Sequence, residues 1–165
     1  MSSELPLKSI AQDGIAKAIE KAEHYRLLNE PEEAESICHD VLAVDPANQR
    51  ALRTLVLALT DQFAGDKWGD EAIRQAEKLT DEYERVYYTG IVIERQARAR
   101  LRTLAGTITA YDDFRAAMTW YERAEQIRPS GNDDAVLRWN SCVRTIRHYR
   151  LQPAPQTDSK VALDD

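Results

Sequence analysis

Two cysteines, six glycines, six prolines and an aromatic content of 7% are little with which to staple, kink or decorate a 165-residue chain. Cys38 and Cys142 are too few and too far apart for a disulfide framework or a zinc cluster, and both fall on helical stripes as small apolar residues. Scarce glycine and proline beside abundant alanine, leucine, glutamate and arginine exclude collagen-like and low-complexity chains and favour helix over strand. No run of about 18 apolar residues occurs, and the first 13 residues lack a basic start followed by an apolar stretch. A membrane span and a secretory leader are therefore not expected, and the expected location is cytoplasmic.

Catalytic signatures are missing as well. The chain contains no glycine-rich phosphate loop, no His-Glu-x-x-His, no Cys-x-x-Cys pair and no Gly-x-Ser-x-Gly. His24, His39 and His148 are scattered, and the adjacent Cys38 and His39 would point about 100° apart on a helix. The expectation is a non-enzyme with no metal and no cofactor.

What is present is charge, unevenly placed. Residues 1–84 carry 9 basic and 18 acidic side chains, residues 85–150 carry 12 and 7, and the whole sums to −6. Such a bipolar field steers association more than it shapes a fold. The densest basic run is Arg95, Arg98, Arg100 and Arg102. It would touch phosphate or an acidic partner, or form a solvated helix face. Net negative charge and the lack of interleaved aromatics disfavour nucleic acid.

Apolar periodicity divides the chain into about seven helices. The first runs from about Ile10 to Leu28, with Ser9 and Gln12 spaced as a capping box. The second starts at Pro31 and ends before Asp45-Pro46. Asn48 caps the third, which stops near Gly65, and Asp70 caps the fourth, which ends around Thr80 to Glu82. A long helix from about Glu84 to Leu104 is closed by Gly106. A sixth ends at Arg128-Pro129, and a seventh carries Ala135, Trp139, Cys142 and Ile146. The expected domain spans 10–150, between a flexible arm at 1–9 and a disordered polar tail at 151–165.

The helix pairs repeat. Tyr25, Ala34, Cys38 and Pro46 mark the first pair, Ala117, Tyr121 and Pro129 in the third repeat the spacing of Ala34, Cys38 and Pro46, and Ala22 and Gly90 hold the small slot ahead of them. This pattern resembles the tetratricopeptide repeat. The third pair departs from it by about 15 extra residues, and the middle pair has Glu84 where proline is usual. The resemblance implies an all-α fold, a right-handed α-solenoid of antiparallel helix hairpins with the seventh helix as a cap. It also implies a concave groove built from the first helix of each pair. Carried over residue by residue, the pattern puts Ile19, Glu23, Arg26, Arg50, Arg53, Leu57, Tyr87, Ile91, Glu94, Val136, Asn140 and Arg144 on the groove, with partner contacts expected at Arg50, Arg53, Leu57, Tyr87, Ile91, Asn140 and Arg144. Glu23 and Leu57 stand where the family's two-carboxylate clamp for chaperone tails needs other residues.

The expected function is therefore a non-catalytic adaptor or scaffold. It would bind a protein or peptide, with Arg50 and Arg53 one helical turn apart gripping an acidic group. The alternative for each arginine is an intramolecular pair with the surplus acids of the N-terminal half. A rival function is self-assembly into a homo-oligomer, acidic half on basic half, weakened by salt. Phe63 and Trp68, in the loop after the third helix, mark either a second contact or aromatic residues tucked under a neighbouring hairpin.

Overall fold

The computed structural model describes residues 4–63 and 69–156, and every regular element among them is helical. A short 3-10 turn, Gln12–Gly14, leads into α1 (Ile15–Leu27), followed by α2 (Pro31–Val44), α3 (Gln49–Asp61) and α4 (Gly69–Glu77). Then come α5 (Glu82–Arg100), α6 (Gly106–Ile127) and α7 (Asp134–His148). None of the described helices is long and apolar enough to cross a membrane.

Local chemistry explains the helix ends. Asn48 accepts a hydrogen bond from the Ala51 amide at 3.0 Å, and Asp81 accepts one from Glu84 at 2.9 Å. Each satisfies an amide that the helix itself cannot, worth about 1 kcal/mol. Proline opens α2, where its missing N–H costs nothing. At the end of α1, Asn29 takes φ 60°, and the Glu30 amide reaches back to the Tyr25 carbonyl at 2.9 Å. That reversal closes the helix and turns the chain into α2.

Five boundaries differ from the sequence reading. Ser9 bonds its neighbour Ile10 instead of forming a capping box, and regular α-helix begins only at Ile15. The fourth helix starts at Gly69 and ends at Glu77, so Asp70 sits inside its first turn, where it complements the helix dipole without capping. The long helix runs Glu82–Arg100, ending a turn earlier than expected. Gly106 opens α6 instead of closing α5, because the Thr103 hydroxyl receives its amide at 3.0 Å. A Cβ there would lie 2.1 Å from the Arg100 carbonyl.

The fifth difference is at Leu151, expected to begin a disordered tail. Arg150 adopts φ 51°, the Leu151 amide returns to Ile146 at 3.0 Å, and the Leu151 side chain is buried beside Ile146 in the core. An apolar contact across a helix-ending reversal is what holds this segment down.

Consecutive helices pack along the whole chain. In addition α1 touches α3, and α3 touches α5. The small residues matter most where α5 meets α6. A Cβ on Gly90 would stand 2.7 Å from the Tyr121 ring, so only glycine allows that approach. Three apolar clusters result, and α5 is the wall between the two larger ones. Val92 faces a cluster with Ala22, Cys38 and Leu59, while neighbouring Ile91 faces one with Phe114, Tyr121 and Cys142. Burial pushes the Cys38 and Cys142 thiols up to about 12, which makes both poor nucleophiles.

Candidate functional site

The face shared by α1, α3, α5 and α7 is held by charge. Two clusters on it have the same composition, one carboxylate and two arginines. In the first, Glu94 of α5 is fully buried. It accepts from Arg98 at 2.7 Å, from Arg138 of α7 at 3.0 Å and from the Tyr121 hydroxyl of α6 at 2.5 Å. Arg98 also donates to Ser141 and Thr145 of α7 and lies over the Phe114 ring. Burial, and then the Glu94 charge, raise the Tyr121 pKa. Burial, the largest single influence, would lower that of Arg138, but Glu94 together with Tyr121 and Tyr87 outweighs burial and raises it. The cluster fastens α5, α6 and α7 together.

In the second cluster, Asp61 at the end of α3 receives Arg26 of α1 at 2.7 Å and Arg95 of α5 at 2.7 Å. Here the groups keep a quarter of their surface in solvent. Arg95 also donates to the Thr60 hydroxyl at 2.7 Å. Beside the cluster lies a cleft of about 310 Å³ into which Arg26, Arg95, Arg98 and Arg102 converge. Asp61 is the sole carboxylate in its lining among the described residues.

The cleft lies where α5 runs past the end of α3. At 1.5 Å per residue, the 19 residues of α5 span roughly 28 Å against roughly 20 Å for the 13 of α3. The last turns of α5 therefore stand clear beyond Asp61. Arg95 and Arg98 stand one turn apart on α5, Arg102 follows in the turn just past its end, and all three line the cleft. Arg100 points elsewhere, to Asp113 of α6 at 3.2 Å.

The residues assigned to the groove from the repeat pattern are dispersed. Arg50 is bound bidentately by Glu23 at 2.6 and 2.8 Å, and Arg53 by Glu84 at 3.0 and 3.1 Å. The two arginines thus hold separate internal carboxylates and do not converge on one ligand. Arg50 in turn holds the Glu23 pKa low. Leu57, Tyr87 and Ile91 are brought together, but as core. Ile91 is 4% exposed, and Tyr87 stacks on Tyr83, with its hydroxyl pushed up to about 12 by burial. Asn140 faces α6, lining a cleft of about 320 Å³ with Val136, Trp139, Glu122 and Glu125. Arg144 is exposed. Phe63 is buried in the N-terminal cluster, and Trp68 lies outside the described residues.

A larger cleft of about 390 Å³ opens between α4, α5 and α6, with Ile73, Val86, Ile93 and Trp120 in its walls and Arg123 stacked on Trp120 at 4.4 Å. It is more apolar than the arginine cleft and has no comparable surplus of one charge. The basic run was visible in the sequence as a count of arginines. Its convergence with Arg26 across three helices was not.

Comparison with protein-family models, with curated proteins and with solved structures returns no match. The class the described residues define is an all-helical protein of successive packed helix pairs, with an arginine-lined cleft on the face of its odd-numbered helices.

Proposed function

We propose that the chain is a non-catalytic binding module of the tetratricopeptide type. Its concave face, made from α1, α3, α5 and α7, holds a segment of a partner protein, and an acidic group of that segment sits in the arginine cleft. The observation that carries this reading is the cleft itself: four guanidinium groups, from α1, α5 and the turn after α5, against one carboxylate among the described residues. Guanidinium groups offer paired N–H donors suited to carboxylate and phosphate oxygens, and Arg is among the residues that most often anchor interfaces.

The repeat reading is supported by contacts in the expected slots. Ala22, Ala34 and Cys38 are all fully buried in one cluster, as close helix pairing in the first hairpin requires. Gly90 meets Tyr121 in the third. Contacts of α1 with α3 and of α3 with α5 are those expected of stacked hairpins.

Fluorescence anisotropy on the full chain, with a labelled peptide pool bearing a central Glu-Glu and a Gln-Gln twin, tests the reading. The acidic pool binds, more weakly as salt rises, and an Arg95→Gln, Arg102→Gln double variant of intact helicity loses about 1–2 kcal/mol of affinity. Equal binding of both pools, or no loss in the variant, refutes it. Growth of the particle with concentration at low salt, absent peptide, would instead favour self-assembly.

A further inference from the structure

The cleft is over-supplied with donors. Arg95 spends one nitrogen, Nη1, on Thr60 and Asp61, and no acceptor among the described residues meets its Nε or Nη2. Arg102 is exposed, and its guanidinium has no hydrogen bond or ion pair among the described residues. Arg26 holds both Asp61 oxygens through Nε and Nη2, leaving Nη1. Asp61 thus already accepts three hydrogen bonds from two arginines. The other carboxylate within reach, Glu94, is fully buried and shared by Arg98 and Arg138. Burial first, then the charges of Arg26 and Arg138, lower the Arg95 pKa despite Asp61. A region that strains its own cations is relieved by an added anion.

Resting on the binding reading above, we propose that the group seated in this cleft is a phosphoryl group carried on a side chain of the partner segment. A carboxylate brings one charge and two oxygens to a lining with four cations and one anion among the described residues. A phosphomonoester brings nearly two charges and three acceptor oxygens, which match the unspent donors of Arg26 on α1, Arg95 on α5 and Arg102 in the turn after it. The cleft is a concavity bounded by α1, α3 and α5, suited to one protruding group, and the acidic half of the chain beside it repels a flat anionic bilayer.

The test uses fluorescence polarisation with three degenerate peptide pools, identical except for phosphoserine, glutamate or serine at the centre. Wild type binds the phosphoserine pool about tenfold more tightly than the glutamate pool, and the serine pool more weakly still. Arg102→Glu, an exposed change that leaves the helical fold intact, removes this preference, while Arg147→Glu, matched in charge but on the last turn of α7, keeps it. Inorganic phosphate competes in the wild type and in Arg147→Glu, but not in Arg102→Glu.

Equal binding of the phosphoserine and glutamate pools, both lost in Arg102→Glu, overturns the phosphoryl assignment and leaves the acidic-group reading standing. Binding that ignores Arg102→Glu, or no preference for either acidic pool, overturns both. Arg102-dependent binding of phosphatidylserine-containing phosphatidylcholine vesicles, with no peptide binding, assigns the anion to a lipid and overturns the peptide source.

Discussion

Asp61 and Glu94 invite direct comparison. Each is a carboxylate on the odd-helix face, gripped by two arginines from different helices. Glu94 has no exposed surface and gains a tyrosine hydroxyl, and Asp61 keeps about a quarter of its surface in water beside an open cleft. The same three charges thus make a fastener in one place and a candidate site in the other. Burial decides, because a buried charge must find all its partners inside the protein, whereas a half-open one leaves donors for a ligand.

The contrast is broken most directly at Glu94. Glu94→Gln strands Arg98 and Arg138 without their counter-charge and is expected to cost about 3 kcal/mol in urea unfolding. Loss of less than 1 kcal/mol would make the two clusters equivalent and refute the distinction. Gly90→Ala pushes a methyl against the Tyr121 ring at 2.7 Å, and an overpacking cost of about 2 kcal/mol should appear as a lower Tm. Tyr121→Phe removes one donor to a buried carboxylate, at about 1.5 kcal/mol by the same unfolding assay.

Asp61→Asn belongs at the other end of the scale. Its ion pairs are partly solvated, so unfolding should shift by about 1 kcal/mol or less, while affinity for an acidic peptide rises because the internal competitor for Arg26 and Arg95 has gone. A loss of affinity would show that Asp61 orients the arginines instead of competing with a ligand.

The thiols check that the two cores beneath these clusters are alike. Cys38 lies in one and Cys142 in the other, both pushed up to about 12 from 9. A pKa raised by folding stabilises fully below the unfolded value and is lost as pH climbs through the folded one. Stability should therefore hold to about pH 8 and fall by about 0.4 kcal/mol per thiol at pH 9, and further toward 12. Titration with a thiol reagent at pH 8 should find both unreactive until the protein unfolds.

Much of the helix inventory was legible in the sequence because its signals are local. Pro31, Asn48 and Asp45-Pro46 mark ends through their own backbone preferences, and the stripe of Ala34, Cys38 and Val41 announces a buried face. The misplaced ends at Gly106 and Leu151 are those where a neighbouring turn or a packed side chain overrides the residue's own tendency. The groove assignment from the repeat pattern gave positions along helices, but not which arginine would find an internal acid first.

By itself, the sequence determined that the chain is helical and roughly where each helix begins and ends, because period and end chemistry act within a few residues. It also determined that the second half carries a surplus of arginine. Only the tertiary structure decided what those arginines do. Arg50 and Arg53 end on Glu23 and Glu84, Arg100 on Asp113, and Arg98 on Glu94, while Arg95 and Arg102 reach Arg26 over an overhang of α5. Charge pairing depends on distances of a few ångströms between residues tens of positions apart, and only packing sets those distances.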